Sequence, residues 1–349
     1  MNSKFHDTNQ NITRENPLMQ QRVHWVDYAK GIGIFLVVVG HTCGGLVDSS
    51  ILLSSPAARF PSQWIYAFHM PLFYFLSGLF IRGSASKPLK DFVVDKLQVI
   101  AYPYFVWSII QIVLMVIASR YVNSSMSLTD ILQLIYKPVL VFSFLYTLFI
   151  IMLVYGVAHK LKLSPSDFFG FSILLYCFHL LGMSVEAWKV WDLVCQNIIY
   201  FALGAFLDSK KLLTGLSQVK TPLLISVSIG GFLLVALAVL LNIVENQSAV
   251  PLIAMIGISA SVALAILLER FNLTAFIEVW GLLSLQIYVV HTIVTSGVRM
   301  VLQKIFGFSE PFTHIMLGTI AGIYAPIALD QLCNKLRFRY MFTLRPRRY

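Results

Sequence analysis

Three histidines stand inside long apolar stretches of the chain: His41 in "KGIGIFLVVVGHTCGGL", His69 in "WIYAFHMPLFYFLSGLFIR" and His291 in "VWGLLSLQIYVVH". Imidazole is the side chain most often used to take a proton from a reacting hydroxyl. Ionisable groups inside a membrane are expensive, and they mark functional sites by default. The other reading of each is a packed histidine that gives one hydrogen bond to a neighbouring helix. His179 also falls near this level, but no polar landmark surrounds it, and it is read as packing. A second set is cationic: Lys30, Arg82, Lys87, Lys90 and Lys96 gather around the ends of the first three apolar stretches, with Asp27 one turn before Lys30. Lys and Arg give charge-assisted hydrogen bonds to phosphate. Membrane topology and snorkelling account for the same residues.

The elements that must position these groups are membrane spans. Of 349 residues, 58% are hydrophobic and only 12% charged, against roughly 25% charged in ordinary soluble domains. Apolar runs of nearly the length that crosses a bilayer core recur from residue 31 to residue 333. The expectation is an all-α polytopic bundle of about ten spans, at roughly 31–47, 64–81, 97–119, 138–158, 168–184, 192–207, 222–242, 249–268, 279–297 and 312–333. With both termini cytoplasmic, the inner segments hold 20 Lys and Arg and the outer ones 6, a positive-inside bias.

Residues 1–23 are polar, lack the apolar core and cleavage site of a signal peptide, and read as a disordered tail. The membrane domain covers 24–335, and 336–349 is a basic cytoplasmic tail. Anionic lipid headgroups account for that tail and for the net charge of +10 without nucleic acid. The four cysteines lie in or beside apolar runs and form neither a disulfide framework nor a metal site.

Depth follows from helical rise. His41 lies roughly 16 Å beyond Lys30, His69 roughly 20 Å from Arg82, and His291 about 18 Å from Val279. All three therefore share one level near mid-membrane. Other chemistries are missing: there is no Walker sequence, no H-E-x-x-H and no G-x-S-x-G, and "KGIGIFLVVVG" opens a span instead of a dinucleotide-binding turn. Ser77 and Gly78 are small residues of the kind that permit close helix contact.

Several blocks carry a family resemblance. "DYAKGIGIFLVVVGH" resembles the first span of the membrane acyltransferase family 3, in which a basic residue precedes a histidine by eleven positions, here Lys30 and His41. "FHMPLFYFLSGLF" is similar to that family's second span, especially in the fucose 4-O-acetylase-like branch. "DKLQVIAYPYFVW" looks like its third-span entrance, with Pro103 and Tyr104 as the Pro-Tyr pair. "FSFLYTLFII" resembles its fourth span, and "WGLLSLQIYVVH" its ninth, with Gly281, Ser284, Tyr288 and His291 in place. Two positions depart from the pattern. Ser143 stands where Trp is usual, and the paired arginines before the third span are reduced to Lys96, with Asp95 beside it.

The resemblance implies transfer of an acyl group, most often acetyl from acetyl-CoA, to a hydroxyl of an envelope sugar or lipid-linked glycan in a bacterial inner membrane. No tightly bound cofactor and no metal is expected. His41 would be the general base, and His69 and His291 would orient it or the acceptor. Asp27, Lys30, Arg82, Lys96, Tyr104, Ser284 and Tyr288 would serve the acyl-CoA and substrate side. The competing class is a proton-coupled transporter or flippase, which mid-depth histidines also suit. Such carriers are often built from paired internal repeats, and none is evident.

Overall fold

The computed structural model describes residues 23–345 apart from 54, 120–125, 139, 184, 186–187, 208–211, 213–214 and 217. The polar tail through residue 22 and residues 346–349 lie outside the described residues. Among the described residues the regular structure is entirely helical. The first helix, α1 (His24–Asp48), is apolar all round from Gly31 to Gly40, and such a stretch belongs in the interior. Ala29, Ile34, Val37 and Val38 are fully buried.

Around α1 pack α2 (Pro56–Tyr66), α3 (His69–Leu79), α11 (Val250–Arg270), α12 (Ala275–Leu282), α13 (Ser284–Met300) and α14 (Pro311–Lys335). The chain between them supplies α4 (Ile81–Ala85), α5 (Leu89–Lys96), α6 (Tyr102–Ile117), α7 (Ser143–Lys160), α8 (Pro165–Leu180), α9 (Val190–Phe206) and α10 (Thr221–Leu240). On α10, Leu223, Ile229, Leu233, Leu237 and Leu240 are exposed, an apolar face suited to lipid.

Seven helices among the described residues are long and apolar enough to cross a membrane: α1, α5 continued through α6, α7, α10, α11, α13 with its π-helical extension to Ile305, and α14. This differs from the ten expected spans for local reasons. The expected second span is broken at Ala67 and Phe68, between α2 and α3. Pro71 has no N–H for the Ala67 carbonyl, and its ring crowds that carbonyl, so a continuous helix is disfavoured. The fifth and sixth are α8, of 16 residues, and α9, of 17. At 1.5 Å per residue these reach only about 24–26 Å. The ninth is divided at Leu283, between α12 and α13.

Two glycine crossings set the tightest contacts. A Cβ on Gly78 would overlap the Phe201 carbonyl, and one on Gly204 the Phe75 carbonyl, so α3 and α9 touch backbone to backbone. Gly31 and Gly281 do the same for α1 and α12, against the carbonyls of Ile277 and Asp27. Small residues at such crossings allow van der Waals packing in lipid, where the hydrophobic effect does not hold helices together.

The stretch from Tyr340 to Arg345 folds back onto α5 and α6. Leu97–Ala101 is a π-helical turn between α5 and α6. In that register the carbonyl of Gln98 faces the nitrogen of Pro103, which has no hydrogen to give. The Gln98 carbonyl instead accepts from the Thr343 hydroxyl and the Leu344 amide, each at 3.3 Å. Tyr102 donates to the Tyr340 carbonyl at 2.7 Å, and Trp107 Nε1 to the Met341 carbonyl at 3.0 Å. Phe342 stacks on Trp107 and is buried.

Candidate active site

α1, the α2–α3 break and α13 bring their rings to one place. The His41 and His291 ring centroids are 5.3 Å apart. On the other side of His41 lies Tyr66 at 5.8 Å, and beyond it His69, 5.3 Å from Tyr66. His41, Tyr66, His69 and Tyr288 line one cavity of about 970 Å³. The cavity extends toward the end of the bundle formed by Asp48, Arg299 and His314, which is the carboxy-terminal end of α1.

The tautomers of two rings follow from their partners, because a carbonyl can only accept. His69 Nδ1 donates to the Ile65 carbonyl at 2.8 Å. His291 Nδ1 donates to the carbonyls of Tyr288 at 2.7 Å and Ile287 at 3.1 Å. Each ring thus keeps Nε2 as its basic nitrogen, and His291 Nε2 is buried with no partner in the protein. A buried imidazole with a free lone pair beside a second imidazole is the arrangement in which one group orients another's proton. Gln111 Oε1 and Thr292 Oγ1 are also buried, unpartnered and on the cavity wall. Buried polar atoms of that kind favour a ligand with hydrogen-bonding groups of its own.

Tyr66 is absent from the residues singled out in the sequence. Its hydroxyl donates to the Gly40 carbonyl at 3.1 Å and lies against Gly44, and its ring lies over Gly40. Two glycines four residues apart leave a groove on one helix face, and that spacing was the available signal.

Of the remaining candidates, all but Tyr288 lie elsewhere. Lys30 pairs with Asp27 at 3.6 Å, at the opposite end of α1 and roughly 16 Å from His41. Arg82 caps α9, donating to the carbonyls of Ala205 at 3.0 Å and Phe206 at 3.1 Å. Lys96 pairs with Asp95 at 3.2 Å and lies over the Phe92 ring. Tyr104 is fully buried, donates to the Leu134 carbonyl at 2.7 Å and stacks on Tyr146. Tyr288 donates to the Val141 carbonyl, and Ser284 opens α13. His179 is in the last turn of α8, 2.7 Å from Asp192 in the first turn of α9, away from the histidine cluster.

A second pocket of about 220 Å³ lies at the end of the bundle that holds Asp95 and the folded-back segment, lined by Gln286, Asp330, Asn334, Thr343 and Arg345. Gln286 and Asn334 donate to the two carboxylate oxygens of Asp330, at 3.1 and 3.0 Å. One face of α13 serves both cavities. Leu285 lines the smaller, and Tyr288, Thr292, Thr295 and Arg299 line the larger. Leu285 and Tyr288 are a single turn apart on that face, so the cavities approach each other from opposite ends of the bundle.

No curated protein and no solved structure matches the chain. A family model described as an acyltransferase domain matches residues 23–330, which include the three histidines and both cavity-lining stretches of α13. The apolar bundle and this match together make the protein an integral membrane acyltransferase, and the chain belongs to the acyltransferase 3 family.

Proposed function

We propose that the protein moves an acetyl or other acyl group from acyl-CoA to a hydroxyl of an envelope sugar or lipid-linked glycan. In this reading the chain crosses a bacterial inner membrane about ten times. The broken and short helices complete the crossings, and both termini lie in the cytoplasm. The observation that carries it is the position of His41: on the wall of a large cavity that extends to one end of the bundle, while Lys30, Lys96 and Arg345 mark the other. The fucose 4-O-acetylase-like sequence of the second span supports a sugar as acceptor.

The chemistry needs one base and no metal. His41 takes the proton of the acceptor hydroxyl as its oxygen attacks the thioester carbonyl. The C–S bond breaks, the thiolate of CoA leaves, and His41 returns the proton to it. His291 Nε2, unpartnered at rest, accepts from the His41 ring as the proton moves and so orients it, and His69 positions the acceptor. The acceptor enters through the large cavity and the donor from the basic end, where Lys30 with Asp27, Arg82 and Lys96 face its phosphates. Tyr104, Ser284 and Tyr288 support the donor's path.

The test is the product. Membranes containing the wild type are given acetyl-CoA labelled in the acetyl group together with envelope glycolipid, and the glycan is analysed by mass and NMR. Base-labile acetyl on a sugar hydroxyl is the expected outcome. Label confined to protein or free acetate, with unmodified glycan, overturns the sugar acceptor.

A further inference from the structure

The third-span entrance has Lys96 beside Asp95, and the fold brings Arg345 to them from the carboxy-terminal segment. Arg345 Nη1 is 2.6 Å from Asp95 Oδ1, and Lys96 Nζ is 3.2 Å from the other oxygen of the same carboxylate. Lys87 is within electrostatic reach of Lys96, as is Arg345. Lys96 and Arg345 therefore flank Asp95, with Lys87 beside Lys96, and these four groups carry a net charge of +2. The Arg345 side chain is 54% exposed although it makes this contact. A guanidinium carries five N–H donors, so most of its edge remains open to an anion from solution.

The approach of Arg345 is built into the fold. The Gln98 carbonyl that Pro103 leaves without a donor holds Thr343 and Leu344, and Trp107 holds Met341 and Phe342. Directly inside the cationic rim, Thr343 and Arg345 wall the 220 Å³ pocket that contains Gln286, Asp330 and Asn334. A cationic rim over a pocket whose walls mix apolar side chains (Val99, Leu282, Leu285, Phe342) with the polar groups of Gln286, Asp330 and Asn334 matches a ligand with a phosphate head and an amphipathic arm.

We propose that Arg345, carried back by the carboxy-terminal segment, completes with Lys87 and Lys96 the phosphate-binding site for the acyl donor, and that the pocket beneath receives the donor's arm. Asp95 holds the guanidinium at the rim, so the segment is part of the binding site. This rests on the reading that the donor is an acyl-CoA.

The experiment compares the full-length wild type, Arg345→Ala and Arg345→Lys in neutral detergent, with acetyl-CoA and with S-acetylpantetheine, which lacks the nucleotide and its phosphates. Arg345→Ala is expected to weaken binding and raise KM for acetyl-CoA by about tenfold, the size of one charge-assisted contact. The values for S-acetylpantetheine should stay as in the wild type, and Arg345→Lys should recover part of the loss. Unchanged acetyl-CoA affinity overturns the proposal, as does equal weakening toward both donors, which would signal a structural role. Unchanged acetyl-CoA affinity with loss of co-purifying anionic lipid would assign the cations to headgroups. A wild type that binds neither donor overturns the donor reading as well.

Discussion

Replacing Gly281 by Ala tests whether the bundle positions the histidines through its backbone contacts. The new Cβ would overlap the carbonyl of Asp27, a backbone atom that no side-chain rotation can clear. Relief requires α1 and α12 to separate by roughly 1.5–2 Å, the distance that takes the Cβ from its overlap with that oxygen to the about 3.5 Å at which non-bonded heavy atoms settle. Overpacking of this kind costs about 1–3 kcal/mol of stability. The functional effect is expected to be larger. α1 carries His41 and α12 leads into α13, which carries His291, so the shift reaches both rings of a pair now 5.3 Å apart. A displacement of about 1 Å at a reacting group can lower a rate on the order of 100-fold. The assay is initial-rate acyl transfer alongside thermal unfolding in detergent. Gly297→Ala is the control on the neighbouring helix, because its Cβ meets nothing within 4 Å. It should be neutral or stabilising by about 0.5–1 kcal/mol, the ordinary helix preference for Ala. Wild-type rate and stability in Gly281→Ala would refute the reasoning.

Two further outcomes can be checked separately. Arg82→Ala removes both hydrogen bonds to the end of α9 and should lower stability by about 1–2 kcal/mol in thermal unfolding; an unchanged melting temperature would show that the cap is idle. Glu310 caps α14, and the Thr313 hydroxyl and amide together with the Phe312 amide hold its carboxyl below the usual glutamate range. A depressed pKa contributes stability above the unfolded value near 4.3 that is lost as pH falls through the folded one. Amide exchange in the first turn of α14 should therefore quicken on acidification in the wild type and be fast and much less pH-sensitive, beyond intrinsic exchange, in Glu310→Ala.

The histidine cluster was legible because helical rise and apolar length place residues by depth without any knowledge of packing. His41, His69 and His291 occupy three different sequence regions, yet one level was enough to associate them. Depth alone could not separate His179 from them: it stands in the last turn of α8 beside Asp192, outside the cluster. Pro71 was visible, but hydropathy averages across a break that one missing N–H creates. Tyr66 carried no mark among so many aromatic residues, and its role depends on a contact with Gly40 across 26 positions. The basic tail read as lipid-facing by composition. Its attachment to Gln98, Tyr102 and Trp107 is long-range pairing that composition does not encode.

The central claim is that His41 performs the proton transfer. Purified wild type and His41→Ala would be given acetyl-CoA with and without envelope glycolipid, and CoA release followed. The wild type should release CoA faster with acceptor, and His41→Ala should lose at least about 100-fold, the usual contribution of a general base, while its expression and melting temperature stay unchanged. Acceptor-stimulated release at the wild-type rate by a folded His41→Ala protein would contradict it.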